Sequence, residues 1–422
     1  MAELAGFTGI LIHVDQTSLP TGKPGILCIA SYEKGQAFLR EAARLGANVA
    51  LLTQDKLEHG DWPRESLSLV ATMPPNLPPA EVLTPICRLL WEGKIERIDR
   101  VIALDEFDLE TAALVREHMR LPGMGQTATR YFRDKLAMRT QAQRCGVAVP
   151  EFTGVFRGEE LSKFMESVPG PWLLKPRGNA AAIGIRRIDR SETLWQALAE
   201  LGEQRGEYLL ERFVPGEVYH VEGITWNGKL LFTAPHRYGQ PPMQTVQQGG
   251  VFTTRSLHPE SSDARLLEAI HADVLTALGM VSGVTHTEFI KSAEDGRFYF
   301  LETAARVGGA HIAEVVEFAS GINPWVEWAR IEVANLTGMP YTLPAVKPGH
   351  TGSVICLARQ ETPDTSAYDD PEIVYRLDHH HHAGLIVRSD SADRVEKLLD
   401  AYGRRFLEEF CAVEPPPERP TA

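Results

Sequence analysis

The stretch Thr285–Gly309, THTEFIKSAEDGRFYFLETAARVGG, decides how this chain is read. It reads as two short strands joined by a turn, with Glu288 near the middle of the first and Glu302 near the end of the second. A three- or five-residue loop centred on Asp295, with Gly296 supplying a positive φ, pairs the strands antiparallel. Glu288 then stands directly opposite Glu302 on one side of the sheet. Two carboxylates so placed repel each other, and a purely structural hairpin should avoid them. A divalent cation removes the conflict and uses both as hard oxygen ligands. Arg306 follows four residues after Glu302, and Gly308-Gly309 open a predicted helix. The acid pair, the arginine and the glycine-led helix start together form a candidate site for magnesium and phosphate.

Working back along the chain, two lysines supply matching positive charge. Lys135 sits in Arg-Asp-Lys-Leu on a helix predicted over Thr129–Cys145, and Lys175 ends the strand Trp172–Lys175. Each alone reads as a surface lysine. Lys175 is less ordinary, because it follows Trp172-Leu173-Leu174 and precedes the small-residue loop Arg177–Gly184, whose amides can approach phosphate oxygens. A further strand, Tyr208–Glu211, runs into the turn Phe213-Val214-Pro215-Gly216-Glu217. Such a strand end exposes free backbone donors and acceptors, and Phe213 offers a face for stacking.

In this order the features resemble the ATP-grasp superfamily. The matching elements are Leu121-Pro122-Gly123, Asp134-Lys135, Lys175-Pro176 with its glycine loop, Glu211-Arg212-Phe213-Val214-Pro215-Gly216-Glu217, Glu288, and Glu302 with Arg306, covering residues 121 to about 310. Within that superfamily the chain looks most like the carboxylate–amine ligases that join amino acids into dipeptides, the L-amino-acid ligase and carnosine-synthase-like branch. The resemblance implies ATP and Mg2+, with Mn2+ as a substitute ion. Lys135 and Lys175 would hold the phosphates. Glu211 and the backbone at Arg212 and Val214 would read the adenine edge beside Phe213, and Glu217 would bind the ribose. Glu288 and Glu302 would bind the metal, and Arg306 would hold the transferring phosphoryl group, where its planar fork suits oxyanions. The same resemblance gives Lys175 and Arg306 the catalytic role.

Two departures from the family pattern stand out. Many members carry Asn two residues after the second glutamate, whereas this chain has Ala304. In the hairpin register above, His286 lies opposite Ala304 and either partly replaces the missing ligand, touches substrate, or is a packed or hydrogen-bonded histidine. The phosphate loop, Gly178-Asn179-Ala180-Ala181-Ala182, has alanines where a serine is common. Ala310, just after Gly308-Gly309, leaves room for a bulky or dipeptide-like acceptor.

The fold class expected is α/β and α+β: an N-terminal Rossmann-like parallel sheet over residues 1–120, then an ATP-grasp fold with ATP held between two α+β subdomains, 121–215 and 216–340. An α/β extension follows over 341–422, with a disordered proline-rich tail after Glu414. The N-terminal β-α-β unit is Gly25–Ala30, a helix over Lys34–Leu45, and Asn48–Leu52; a later strand, Arg100–Leu104, ends in Asp105-Glu106. Ligands gather at the carboxyl ends of parallel strands, so Glu106 is a candidate for a substrate amino group, with a solvated acid as the alternative. No GxGxxG follows the first strand, which disfavours a dinucleotide. Residues His236–Val251 read as a long loop able to close over the site. The run His379–His382 reads as an exposed loop, because successive residues of an extended chain point in alternate directions.

Bulk properties narrow the partners. Across 422 residues, 43% are hydrophobic and 23% charged, ordinary for a soluble globular protein. A net charge of -13 argues against dedicated nucleic-acid or membrane binding. The five scattered cysteines fit reduced thiols. No signal-peptide pattern or long apolar run is seen, so the cytoplasm is the expected compartment. The oligomeric state stays open, a homodimer included.

The expected activity is an ADP-forming ligation of a small-molecule carboxylate to an amine through an acyl phosphate. The alternatives are a biotin-carboxylase-type or purine-pathway ligase on the same fold, or an inactive nucleotide-binding regulatory module, for which Ala304 and the alanine-rich loop are the best evidence.

Overall fold

The computed structural model describes residues 22–412. The expected disordered tail after Glu414 and the start of the chain lie outside them.

Three sheets follow one another along the chain. The first is parallel, in the order β3-β2-β1-β4, from β1 (Gly25–Ala30), β2 (Asn48–Gln54), β3 (Leu69–Met73) and β4 (Arg100–Ala103). Every residue of β1 is buried, which explains its unbroken apolar run: a parallel strand covered on both faces has no polar side to show. The second sheet, β5-β8-β6-β7, joins β5 (Phe152–Gly154), β6 (Trp172–Pro176), β7 (Arg186–Ile188) and β8 (Tyr208–Arg212) antiparallel.

The third and largest sheet is antiparallel. It holds β9 (Gly216–Trp226), β10 (Lys229–Tyr238), β11 (Phe252–Ser256), β12 (Gly283–Ser292), β13 (Phe298–Ala304), β14 (His350–Leu357), β15 (Ile373–Arg376) and β16 (His382–Ser389) in the order β13-β12-β9-β10-β11-β14-β16-β15. Asn227 and Gly228 turn β9 into β10, both in the left-handed region. Two buried clusters tie the first sheet to the third. One joins Leu27, Leu52 and Val101 to Tyr219, Phe289 and Phe300; the other joins Ile26 and Leu51 to Ile224, Val284 and Trp328.

Several boundaries differ from the sequence reading, each for a physical reason. The helix expected over Thr129–Cys145 is two pieces, Gln126–Arg130 and Lys135–Arg144. Asp134 interrupts it as an N-cap, accepting from the amides of Leu136 (3.0 Å) and Ala137 (3.4 Å). The long loop expected over His236–Val251 is largely ordered: β10 runs on to Tyr238, and a short helix, Pro242–Gln248, starts with proline at its first turn. The segment from 341 is not a separate unit. Through Phe252↔Ile355 and Arg255↔Gly352, β14 joins the third sheet, and β16 and β15 extend it. Gly352 breaks the apolar pattern there because a Cβ would lie 2.5 Å from Leu399, on the helix Ala392–Glu409 packed above.

Among the core residues is a histidine. His271, on the helix Ser262–Leu278, is fully buried, with Nε2 3.4 Å from Thr285 Oγ1. Burial pushes its imidazole down from 6.5 to about 4. A histidine depressed in this sense contributes stability above its ordinary value and loses it as pH falls toward the folded one. Replacing His271 by Leu is expected to shrink the stability lost across that window by roughly 3 kcal/mol. Urea unfolding at a series of pH values checks this, and an unchanged profile would place the proton uptake elsewhere.

Candidate active site

The second and third sheets and the carboxyl ends of the first enclose a cavity of about 1090 Å³. Its wall on the third sheet carries the acid pair. Glu288 faces Glu302, and His286 faces Ala304, as the sequence register requires. The turn itself is one residue out of that register, since Lys291 pairs with Phe298. A bulge absorbs the slip: Phe289 pairs with Phe300, leaving Leu301 as the extra residue on β13. The bulge therefore brings the two carboxylates face to face. Gly296 has φ 70°, the left-handed turn position anticipated for it.

Behind the pair runs a polar network that the sequence reading missed. β12 also pairs with β9, setting His286 against Glu222 and Glu288 against His220. The two strands carry the same short pattern, His220-Val-Glu222 and His286-Thr-Glu288, running in opposite directions, so each histidine meets the other's acid. That repeated His-x-Glu was the available signal; using it required knowing that β9 and β12 are neighbours. Glu222 Oε1 lies 2.6 Å from His286 Nδ1 and 2.8 Å from His220 Nδ1. Burial opposes charge on His286, but the Glu222 carboxylate outweighs it and lifts the imidazole to about 10. His286 is thus a buried, hydrogen-bonded partner of Glu222, the packed alternative anticipated for it. Its Nε2 lies 3.6 Å from Glu288, which also accepts from Tyr238 Oη at 2.9 Å. Burial would raise the Glu288 carboxyl; His286 and Tyr238 hold it below the usual range. Gly308 passes closely over this network: a Cβ there would lie 3.0 Å from Glu222 and 3.1 Å from His286.

The lysines face the acids across the cavity. Lys135, the first residue of its helix, reaches Glu302 at 2.7 Å and donates to the carbonyl of Asn179 in the small-residue loop. In that loop Ala181 and Ala182 both have positive φ, so successive amides curve as in an anion-binding nest. Asp134 sets Lys135 in place by capping the helix and by pairing with Arg177, whose Nε lies 3.0 Å away. Asp134→Ala is expected to cost about 1 kcal/mol of stability, and thermal melting checks the loss.

The strand-end turn departs from the roles assigned to it. Glu211 is fully buried and gives one carboxylate oxygen to Lys175 and the other to Arg139 (2.7 Å). Burial would raise its carboxyl, but Arg139 and Lys175 hold it low; burial also pushes the Lys175 amine down against the pull of Glu211. Its side chain is thus the shared counter-ion of two cations in the cavity wall, a role that the base-edge reading did not include. The amide of Arg212 donates to Glu151 (2.8 Å) and that of Phe213 to Pro171 (2.9 Å), which leaves Val214 as the turn residue for backbone recognition. Phe213 and Val214 line the cavity. Arg187 lies over the Phe213 ring, 4.7 Å from its centroid. Arg212 and Glu217 lie away from the cavity wall: Arg212 pairs with Glu294, while Glu217 accepts from Tyr219 (2.9 Å) and pairs with Arg237 (3.0 Å). The ribose role expected of Glu217 is not supported by this placement.

Arg306 lies at the end of β13 and pairs with Glu106 from the first sheet, its Nε 3.1 Å from the carboxylate. Burial would raise the Glu106 carboxyl; Arg306 and Arg133 outweigh it and bring it to about 2. Glu106 is thus in the cavity, as a strand-end position predicts, but it is committed to a guanidinium. The helix expected at Gly308-Gly309 begins later, at Ile312, after Ala310 and His311 in left-handed backbone. His379 and His382 border the cavity mouth, closer to the site than an isolated exposed loop would be.

Opposed lysines, paired carboxylates and a strand-end turn thus surround one cavity between two antiparallel sheets. Residues 168–314 match the family described as ATP-grasp domain. That match covers about a third of the chain, and the chain is similar to named amino-acid ligases. It is similar to an L-arginine-specific L-amino acid ligase of Bacillus subtilis, 25% identical over 58% of this chain and 61% of that protein. A D-alanine–D-alanine ligase of Anaeromyxobacter sp. is 27% identical over 49% of this chain and 68% of that protein. The chain spans 61%, 52% and 56% of the first three curated relatives it matches. Among solved structures, an L-amino acid ligase from Bacillus licheniformis superimposes with a TM-score of 0.72 at 20% identity, over 93% of this chain and all 100% of that one. A biotin carboxylase from Campylobacter jejuni gives 0.66 at 16% identity, over 92% of each chain. Among the described residues no helix is long and apolar enough to cross a membrane.

Proposed function

We propose that this chain is an ATP-dependent, ADP-forming carboxylate–amine ligase acting on amino-acid-like substrates. The observation that carries the proposal is the arrangement of Lys135, Lys175 and Arg306 around one cavity with Glu288 and Glu302. The named ligases among the relatives support the amino-acid reading over a carboxylase.

The donor set suits Mg2+. Two carboxylates on neighbouring strands face the cavity, with Lys135 beside one and with His286 and the hydroxyl of Tyr238 beside the other. Held by Glu288 and Glu302, Mg2+ would neutralise charge on the terminal phosphates. Lys135, Lys175 and the amides of the loop around Ala181 would hold the phosphates of ATP, with Val214 and Phe213 beside the base.

A substrate carboxylate oxygen attacks the γ-phosphorus, the bond to the bridging oxygen breaks, and ADP leaves. The amine of the second substrate attacks the acyl carbon, phosphate departs with the electron pair of the broken C–O bond, and the amine loses a proton. No enzyme nucleophile is needed. Arg306 and Lys175 stabilise the negative charge spread over the transferring group. Met243, Gln244 and Thr245, on the short helix after β10, cover the cavity and help keep water from the acyl phosphate. Ala310, also in the wall, leaves room for a bulky or dipeptide-like acceptor. The cytoplasm is the compartment proposed for this chemistry.

Incubation with ATP, Mg2+ and pools of amino acids is expected to give amino-acid-dependent release of ADP and phosphate. ATP binding without ADP formation in any pool would favour the inactive regulatory module, and dependence on bicarbonate would favour a carboxylase.

A further inference from the structure

We propose that the turn His379–His382 binds a divalent transition metal of the zinc type at the mouth of the cavity, separate from the carboxylate pair. The amide of His382 donates to the carbonyl of His379 (3.2 Å), and the two residues form an isolated antiparallel bridge. This turn defeats the alternation expected of an extended run and brings the first and fourth imidazoles together. Nδ1 of His379 lies 3.2 Å from Nδ1 of His382, and the carbonyl oxygen of His380 lies 3.0 Å from the first and 2.9 Å from the second.

Hydrogen bonding satisfies this triangle in one tautomer combination only. The carbonyl has two lone pairs and only accepts, so both Nδ1 atoms must carry protons to bond to it, which leaves two donors 3.2 Å apart. If one Nδ1 gives its proton to the other, the receiving nitrogen faces the carbonyl oxygen lone pair to lone pair. A cation satisfies all three contacts at once. Ligand atoms about 2.0–2.2 Å from Zn2+ stand roughly 3 Å apart at angles between octahedral and tetrahedral, which matches the three separations.

The backbone supports the same reading. His381 has φ 56°, a left-handed conformation that glycine or asparagine adopts at lower cost in such a turn. Two imidazole nitrogens and one carbonyl leave further coordination positions open toward the cavity, which both His379 and His382 line. Imidazole donors favour zinc-like ions, whereas the oxygen-only pair Glu288 and Glu302 favours magnesium, so the two sites select different ions.

The test is calorimetric titration of the full chain with zinc chloride, in the presence and absence of excess magnesium chloride. One zinc ion per chain is expected, undiminished by magnesium. His379→Ala and His382→Ala should each weaken zinc binding on the order of tenfold or more. His380→Ala and His381→Ala, whose imidazoles are not ligands, should leave it unchanged, as should His381→Gly, which relieves the backbone. Circular dichroism of each variant confirms that a loss reflects the site and not unfolding. Absence of saturable zinc binding, retention of it in the folded His379→Ala and His382→Ala variants, or equal weakening by all four alanine substitutions would each overturn the proposal.

Discussion

Replacing Glu302 by Gln is expected to lower amino-acid-dependent ADP formation roughly 100-fold or more, in a chain that remains folded. Glu302 faces Glu288 across the hairpin and is the acid that Lys135 meets at 2.7 Å. The amide keeps the shape of the side chain but removes the charge that would hold a divalent cation. The magnesium concentration needed for half-maximal rate should therefore rise together with the fall in turnover. Glu302→Asp, which keeps the charge but shortens the reach, should retain part of the rate. Full turnover by Glu302→Ala would remove the proposed metal site altogether. Glu288 lies in a different setting, held by Tyr238 and by a charged His286. Loss of Glu288 would also leave those two partners facing an empty position, so Glu302 is the cleaner test.

The second large effect is on stability. Glu211→Ala is expected to cost roughly 3–5 kcal/mol, because it leaves the buried cations of Arg139 and Lys175 without their shared carboxylate. Breaking one member of a buried ion network costs more than the network contributes, since the uncompensated charges stay away from water. Urea unfolding without nucleotide measures the loss. Glu211→Gln should be milder, as it keeps a hydrogen-bond acceptor for one of the two cations. A stability change under roughly 1 kcal/mol, accompanied by a large rise in the KM for ATP, would return Glu211 to the base-reading role that its place in the sequence suggests.

That contrast shows where the sequence was legible. Residues whose roles follow from local spacing were readable: the hairpin that sets Glu288 against Glu302, and the unbroken apolar β1. Positions governed by partners far along the chain were not. Glu211 looks like a free acid at a turn until Arg139, 72 residues away, is seen to reach it. Arg306 and Glu106 meet across 200 residues. The His220–Glu222–His286 network needs the pairing of β9 with β12, which no local pattern states. The polar, glycine-bearing pattern of β14 does not read as a strand, because it reflects a close helix contact and not simple alternation.

The central claim is that a substrate carboxylate becomes an acyl phosphate before the amine attacks. It is tested most directly with a carboxylate substrate carrying heavy oxygen in both positions, incubated with ATP, Mg2+ and the amine. Mass spectrometry of the released phosphate should find one heavy oxygen per molecule, left behind when the acyl carbon passes to the amine. Phosphate with no heavy oxygen, formed alongside the condensed product, would contradict the account.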